Sequence, residues 1–466
     1  MLYAKIKFML KFKTLILIFI LGFPFLLWAD DLPGLDPIQK DDRIMILAPH
    51  PDDEAIAAAG VIQQAAKAGA QVQVVYLTNG EHNQFAFIVY EKRITLRQGE
   101  FIHLGQVRRQ EAIKAMQLLG LNENNLIFLG YPDFGTFTIF SQCWRDAPPA
   151  RSMLTRISSV PYKNSLSPGA PYKGESILKD IKKVLLDYKP TKIFVSHPAD
   201  VNVDHKAFYL FLEVALHDLE GRLARPKIYP YLVHCVNWPM PRHYNPELGL
   251  EPPRQFLDSR IGWVGLNLTP EELDKKHKAI LCYRSQTNSS AFYLLSFARR
   301  NELFGDYPEI ELTSQPVRQK GLLQFFGSSP LFRVSQVSVG SPEETKGQVS
   351  FALEDGYLLV HIHKLKNLKS RFGIVLYVFG YSKNTPFANM PKIRIIARDD
   401  KLKVFDGRKM IAPKNMILDV NATSLILRLP LEALGKPDFI LTSLKAYGGS
   451  LPVDAIGFRK IKLNRR

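Results

Sequence analysis

From about residue 42 to 240, apolar runs of strand length alternate with amphipathic stretches of helix length. The strand-length runs are 44–48, 72–77, 126–129, 192–195 and 229–236, and the helical stretches are 53–67, 106–119, 175–188 and 206–219. Gly69 and Gly120 fall where helix C-caps are expected. This order predicts right-handed β-α-β units in a parallel, doubly wound sheet with helices on both faces. Chemistry in such sheets collects in the crevice at the carboxyl ends of the strands. Residues 134–173 lack periodicity and are rich in Pro, Ser and aromatics, which reads as a long insertion over those strand ends. A second loop with four prolines covers 241–262, and a helix near 270–283 closes the first domain.

Beyond residue 330 the period changes. Short strand-like runs at 348–353, 357–363, 373–381, 392–398 and 424–429 are separated by Gly, Asp and Pro, the pattern of a β-sandwich of roughly immunoglobulin size. The expected organisation is therefore an α/β domain over 30–300, a linker over 301–330 and a sandwich over 331–466. Tyr377, Phe379 and Tyr381 share one strand face and read as core rather than as a sugar-stacking platform. His361 and His363 share a face too; without a third ligand they read as sandwich histidines.

The first 29 residues stand apart. Lys5, Lys7, Lys11 and Lys13 precede an uncharged stretch from 14 to 28, then Ala29 and two aspartates: the layout of a secretory signal. The protein is expected to be exported, periplasmic or secreted, with an uncleaved membrane anchor as the alternative because Leu27 is bulky for a cleavage site. The whole chain carries +17; removing the leader's four lysines from 61 basic residues leaves 57 − 44 = +13. The basic residues are scattered among apolar helical positions, so no nucleic-acid groove is expected, although attraction to an anionic envelope surface remains open. Cys143, Cys235 and Cys282 lie far apart, form no C-x-x-C and read as packing residues. Nothing in the pattern sets an oligomeric state.

Two packets carry candidate chemistry. Ala48-Pro49-His50-Pro51-Asp52-Asp53-Glu54 leaves the first strand, and Ser196-His197-Pro198-Ala199-Asp200-Val201-Asn202-Val203-Asp204-His205 leaves the strand at 192–195. Consecutive carboxylates repel one another unless a cation or an exchanged proton offsets the cost. Histidine and aspartate donors on two strand ends, with a position left open, suit catalytic zinc. Asp52 and Asp53 are neighbours; if the turn aims them apart, one can bind metal while the other takes a proton.

The first packet and Asn202-Val203-Asp204-His205 of the second resemble the two signature motifs of the PIG-L/LmbE-type zinc de-N-acetylases. Arg108-Arg109-Gln110-Glu111, Gly130-Tyr131-Pro132-Asp133 and Tyr283-Arg284-Ser285-Gln286 support the resemblance, which covers roughly residues 42–290. It implies a Rossmann-like fold, with zinc (Zn2+, or another divalent ion such as Fe2+) held by His50, Asp53 and His205, and with Asp52 as general base. Asp204 would orient a ligand, and Arg108 and Asp133 would hold sugar hydroxyls. The implied reaction removes the N-acetyl group from an N-acetylglucosamine-like sugar in a glycan or glycoconjugate. Asn202 departs from the family, where many members have histidine. Asparagine can donate to an oxyanion but cannot deliver a proton. The leaving amine's proton would then come from Asp52, acting as base and then acid, or else from His197 or His82. The rivals are a metal-dependent amidase on a non-sugar amide and a non-catalytic glycan-binding protein derived from such an enzyme. A nucleotide-binding oxidoreductase is disfavoured, since no G-x-G-x-x-G follows the first strand.

Overall fold

The computed structural model describes residues 32–82, 97–257, 259, 261–314, 348–363, 373–398, 401–421, 424–447 and 456–464. The expected leader and residues 315–330 of the expected linker lie outside them. Among the described residues no helix is long and apolar enough to cross a membrane.

The first domain is built on β1 (Arg43–Ala48), β2 (Gln71–Thr78), β3 (Leu126–Tyr131), β4 (Lys192–Ser196), β5 (Lys227–Tyr231), β6 (Gly262–Asn267) and β7 (Asn301–Asp306). Their order in the sheet is β3-β2-β1-β4-β5-β7-β6, the first five mutually parallel and β7 antiparallel to both of its neighbours. Central β1 is an apolar run because both of its faces are covered. Helices α1 (Asp53–Ala68), α2 (Gln98–Leu118), α6 (Pro270–Leu281) and α7 (Arg284–Leu294) contribute to the core on one face of the sheet. On the other face the core takes in α3 (Thr136–Gln142), α4 (Gly174–Tyr188) and α5 (Val203–Asp218). Strand order reverses between β1 and β4, and both chemical packets leave these two strands at their carboxyl ends. The switch-point crevice lies there.

The second domain is a sandwich. One sheet runs β15-β16-β10-β9 and the other β14-β13-β12-β11-β17-β18-β8, over β8 (Ile310–Thr313), β9 (Gln348–Glu354), β10 (Tyr357–His363), β11 (Gly373–Tyr381), β12 (Lys392–Arg398), β13 (Lys401–Asp406), β14 (Lys409–Ile411), β15 (Ile417–Val420), β16 (Ser424–Pro430), β17 (Phe439–Tyr447) and β18 (Arg459–Asn464). Strand β11 is buried on both faces. Ile374, Leu376 and Val378 fill the space between the sheets. The alternate residues Phe379 and Tyr381 join the core of the first domain, with Tyr377 packed against it. The two domains therefore share apolar core.

Four boundaries differ from expectation. Residues 301–306, expected in the linker, form the strand β7, and 310–313 already pair with β18. Helix α2 starts at Gln98, eight residues before the expected 106. The insertion holds a short helix, α3, whose Ile139 and Phe140 are buried. Strand β5 stops at Tyr231 instead of running to 236. The three cysteines are free thiols: Cys143 is buried, and Cys235 and Cys282 are half-buried.

Candidate metal centre and catalytic pocket

The turn after β1 is tied to the end of β2, where the Thr78 amide and hydroxyl both donate to the Pro49 carbonyl at 3.0 Å. Asp53 Oδ2 accepts from the His50 amide at 2.9 Å, locking ligand against ligand. Asp52, the residue capping α1, has φ 127° and ψ −29°, a backbone conformation strained for anything but glycine. Arg108 fastens the turn from α2. Its guanidinium donates to Gly80 O at 2.8 Å and Pro51 O at 2.5 Å, and meets Asp52 Oδ2 at 3.1 Å. Glu54 is buried, bonded to the Tyr283 hydroxyl and the Asp52 amide. Burial pushes its carboxyl up to about 8.

Across the crevice, Asn202 caps α5, its side-chain oxygen accepting from the Asp204 amide at 2.8 Å. That oxygen already accepts one bond, and the donor Asn202 can offer the pocket is its NH2 group. His205, one helical turn in, is fully buried. Its Nε2 lies 3.2 Å from Asp53 Oδ2, and His50 Nδ1 lies 3.3 Å from the same oxygen. Atoms bound tetrahedrally at about 2.0–2.1 Å from one ion lie about 3.3–3.4 Å apart, the spacing of each histidine from Asp53, and the three donor atoms lie within 4.8 Å of one another. All three side chains are buried.

Each imidazole is held at its other nitrogen. His50 Nε2 faces Asp133 Oδ1 at 3.2 Å and Asp204 Oδ2 at 3.3 Å, while His205 Nδ1 faces Asp200 Oδ2 at 3.3 Å. Asp204 is fixed in turn by the Phe134 amide at 2.6 Å, the Thr136 amide at 3.1 Å and the Thr136 hydroxyl. Asp200 accepts from the amides of Asn202, Val233 and His234. Asp133, Asp204 and Asp200 thus stand behind the rings, at the nitrogens turned away from Asp53, where a carboxylate orients an imidazole.

Burial opposes charge on both rings, yet the carboxylates outweigh it. His205 is raised to about 9 by Asp200 and Asp53, and His50 is raised well above its ordinary value by Asp133, Asp204 and Asp53. Burial also pushes on Asp53, but the two histidines hold it well below the usual carboxylate range. Such a surplus of buried negative charge calls for a cation. Asp52 differs: burial carries it up to about 6 against the pull of Arg108.

The structure thus brings His50, Asp52, Asp53, Arg108, Asp133 and Asn202 around one cavity of about 310 Å³, with His205 and Asp204 behind its wall. Arg108, expected to hold sugar hydroxyls, lines the cavity, and its two terminal nitrogens also bond three protein oxygens, one of them on Asp52. Asp133, expected in the same role, lines the cavity but also accepts the His82 amide at 2.8 Å and faces His50. From the long insertion, Phe134 is the residue that reaches the cavity wall. His82 lines the cavity as well, whereas His197 does not. Its ring is buried among Phe256, Trp263 and Tyr307, and burial pulls it down to about 3, so it delivers no proton here.

Two functional candidates went unassigned in the sequence. Asp200 lay inside a quoted packet without a role. His234 was read as strand interior; because β5 ends at Tyr231, it sits on the loop at the sheet's carboxyl edge. There it lines the cavity with Nδ1 3.4 Å from Asp200 Oδ1, its ring perpendicular to that of His205 at 4.6 Å. The edge rule would have found it, given the right strand end. A separate cavity of about 1150 Å³ runs beside α2 between the 161–164 loop and the end of α6, and holds none of these clusters.

Fold and site together define a doubly wound α/β domain with a candidate two-histidine, one-aspartate cation site at its switch point. Residues 45–216 are a PIG-L domain, matching the family model described as GlcNAc-PI de-N-acetylase. Over 156 residues the chain is 26% identical to a 1D-myo-inositol 2-acetamido-2-deoxy-alpha-D-glucopyranoside deacetylase of Corynebacterium glutamicum (strain R), covering 34% of this chain and 46% of that protein. A protein of the same description from Corynebacterium efficiens is 34% identical over 91 residues, 20% of this chain and 26% of its own length. The matched region thus spans less than half the length of these relatives. Among solved structures, N,N'-diacetylchitobiose deacetylase from Pyrococcus horikoshii aligns over 58% of this chain and 86% of its own, at 19% identity and a TM-score of 0.35.

Proposed function

We propose that this protein is a metal-dependent N-deacetylase that hydrolyses the acetamido group of an N-acetylglucosamine-like sugar in a glycan or glycoconjugate. The observation that carries this reading is the convergence of His50 Nδ1, Asp53 Oδ2 and His205 Nε2, with Asp52 outside the trio and lining the cavity. The PIG-L match over 45–216 and the deacetylase relatives support the reaction class. The leader-like residues 1–29 support export.

His50, Asp53 and His205 would hold the ion, with zinc favoured by the nitrogen and oxygen donor set. When bound, such an ion polarises the acetyl carbonyl and makes a water molecule acidic enough to attack near neutral pH. Asp52 Oδ takes the proton of the attacking water. Arg108 fixes the direction of that carboxylate, and the strained turn keeps it off the ligand trio. The Asn202 NH2 donates to the oxygen that gains negative charge. Asp52 then returns the proton to the nitrogen as the carbon–nitrogen bond breaks, leaving acetate and a free amine. One carboxylate serves both steps, which accommodates an asparagine at 202.

The test is acetate release from N-acetylated sugars of increasing length, with bound zinc measured in parallel. Asp52→Asn should lower turnover by about 10²–10⁴-fold while zinc stays bound; equal turnover would remove Asp52 as base. His205→Ala should lose zinc, and unchanged stoichiometry would strike it from the ligand set.

A further inference from the structure

The sandwich touches both elements that aim the metal-facing imidazoles. On one side, the Phe458 amide donates to the Pro198 carbonyl at 3.0 Å. A side-chain carbon at Gly457 would lie 2.8 Å from the Ala199 Cβ. Pro198 and Ala199 lead directly into Asp200, the carboxylate behind His205. The same loop is wedged further by His197, whose ring lies 5.0 Å from Tyr307, itself covered by the Arg459 guanidinium at 4.0 Å.

On the other side, the rings of Tyr377, Phe379 and Phe458 surround Phe137, with centroids 5.4, 6.4 and 5.8 Å away. Phe137 follows Thr136, whose amide and hydroxyl hold Asp204, the carboxylate behind His50. Phe458 thus stands at the root of both chains of contact. A separable sugar-binding module would leave its aromatic stripe open to solvent. Here Phe379 and Tyr381 are 0% and 3% exposed, consumed by the domain junction.

We propose that the sandwich is a built-in brace of the metal centre, with Gly457 and Phe458 as positioning residues that set Asp200 and Asp204, and through them His205 and His50. This rests on the metal-centre reading above. The consequence is that a perturbation at Gly457 or Phe458 weakens metal binding although neither residue lines the catalytic cavity.

The test uses the full chain, with zinc affinity measured by chelator competition and ligand geometry read from the visible spectrum of the cobalt-substituted protein. Gly457→Ala pushes on Ala199, and Phe458→Ala removes the ring against Phe137. Each should raise the zinc Kd by about tenfold or more and alter the cobalt spectrum, as expected for loss of a ligand's supporting partner. Leu427→Ala, deep in the sandwich's own core, controls for simple destabilisation and should leave the zinc Kd within about twofold. Folded Gly457→Ala and Phe458→Ala proteins with wild-type zinc affinity would overturn the brace; if Phe458→Ala does not fold, Gly457→Ala decides. A wild-type chain that takes up neither zinc nor cobalt overturns the metal-centre reading itself, a result distinct from variants that match a zinc-binding parent.

Discussion

At position 52 a single residue holds both a catalytic assignment and a backbone conflict. A positive φ in an aspartate costs on the order of 1–3 kcal/mol, and such strain survives where the surroundings over-determine it. Here Arg108, Glu54 and the Pro49–Thr78 tether do so. Glycine adopts this conformation without strain. Asp52→Gly should therefore raise stability by about 1 kcal/mol, seen as a higher denaturant midpoint, while acetate release disappears. A variant that loses stability would mean that the Asp52–Arg108 pair outweighs the strain.

At the scale of the elements, what matters is where each one ends. The loop after β2 presents Gly80 with φ +70°, in contact with the Arg108 guanidinium. In Gly80→Ala the added methyl collides with that guanidinium and pushes it off Asp52. Turnover should fall on the order of 10²-fold with zinc content unchanged, checked by kinetics and metal analysis on the same preparation. The alternation of strand and helix was readable because period 2 and period 3.6 are imposed by burial, and buried strands such as β1 have no other way to look. His50, Asp53 and His205 were singled out by the resemblance of the two packets to known motifs, and the fold brings these three side chains together. Asp200 and His234 escaped because an aspartate's job as an acceptor for backbone amides leaves no pattern, and because residues 229–236 stay apolar beyond the last sheet hydrogen bond. Strand β7 was taken for linker since its Asn301-Glu302 start is polar. Glu302 is nevertheless buried, paired with Lys276 at 2.8 Å and accepting the Gly60 amide, partners remote in sequence that no local window contains. The stripe Tyr377, Phe379 and Tyr381 was read as core, and core it is, though of the junction between domains rather than of the sandwich interior.

Across the whole molecule, shared core makes the two domains interdependent. A chain cut after Asp306 would expose Phe137, Phe140 and their neighbours, an apolar patch that single domains rarely tolerate. It should aggregate or bind a hydrophobic dye strongly; a soluble, dye-silent fragment with native zinc affinity would contradict the interdependence. The junction also carries a pH dependence. Asp306, at the end of β7, is raised to about 7 by burial and by Glu213, against Arg459 and Lys460. Its ordinary value is 3.8, so between roughly pH 4 and 7 the folded state holds a proton that the unfolded chain has released, and stability falls as pH rises through this window. Asp306→Asn keeps the acceptor for the Tyr307 amide and removes the titration. Its melting temperature should match wild type near pH 4 and exceed it increasingly up to pH 7, the gain at neutral pH on the order of a few kcal/mol at most. Parallel melting curves would exclude this origin.

Strand β18 closes the larger sandwich sheet by lying between β17 and β8, and Phe458 immediately precedes it. That segment is synthesised 458 − 198 = 260 residues after the loop it supports. A nascent chain therefore carries both imidazoles and the carboxylates behind them long before it has the segment proposed to brace them. Contacts so distant in sequence form late. On the brace proposed above, tight ion capture would belong to the end of folding, after this stretch of chain has left the ribosome.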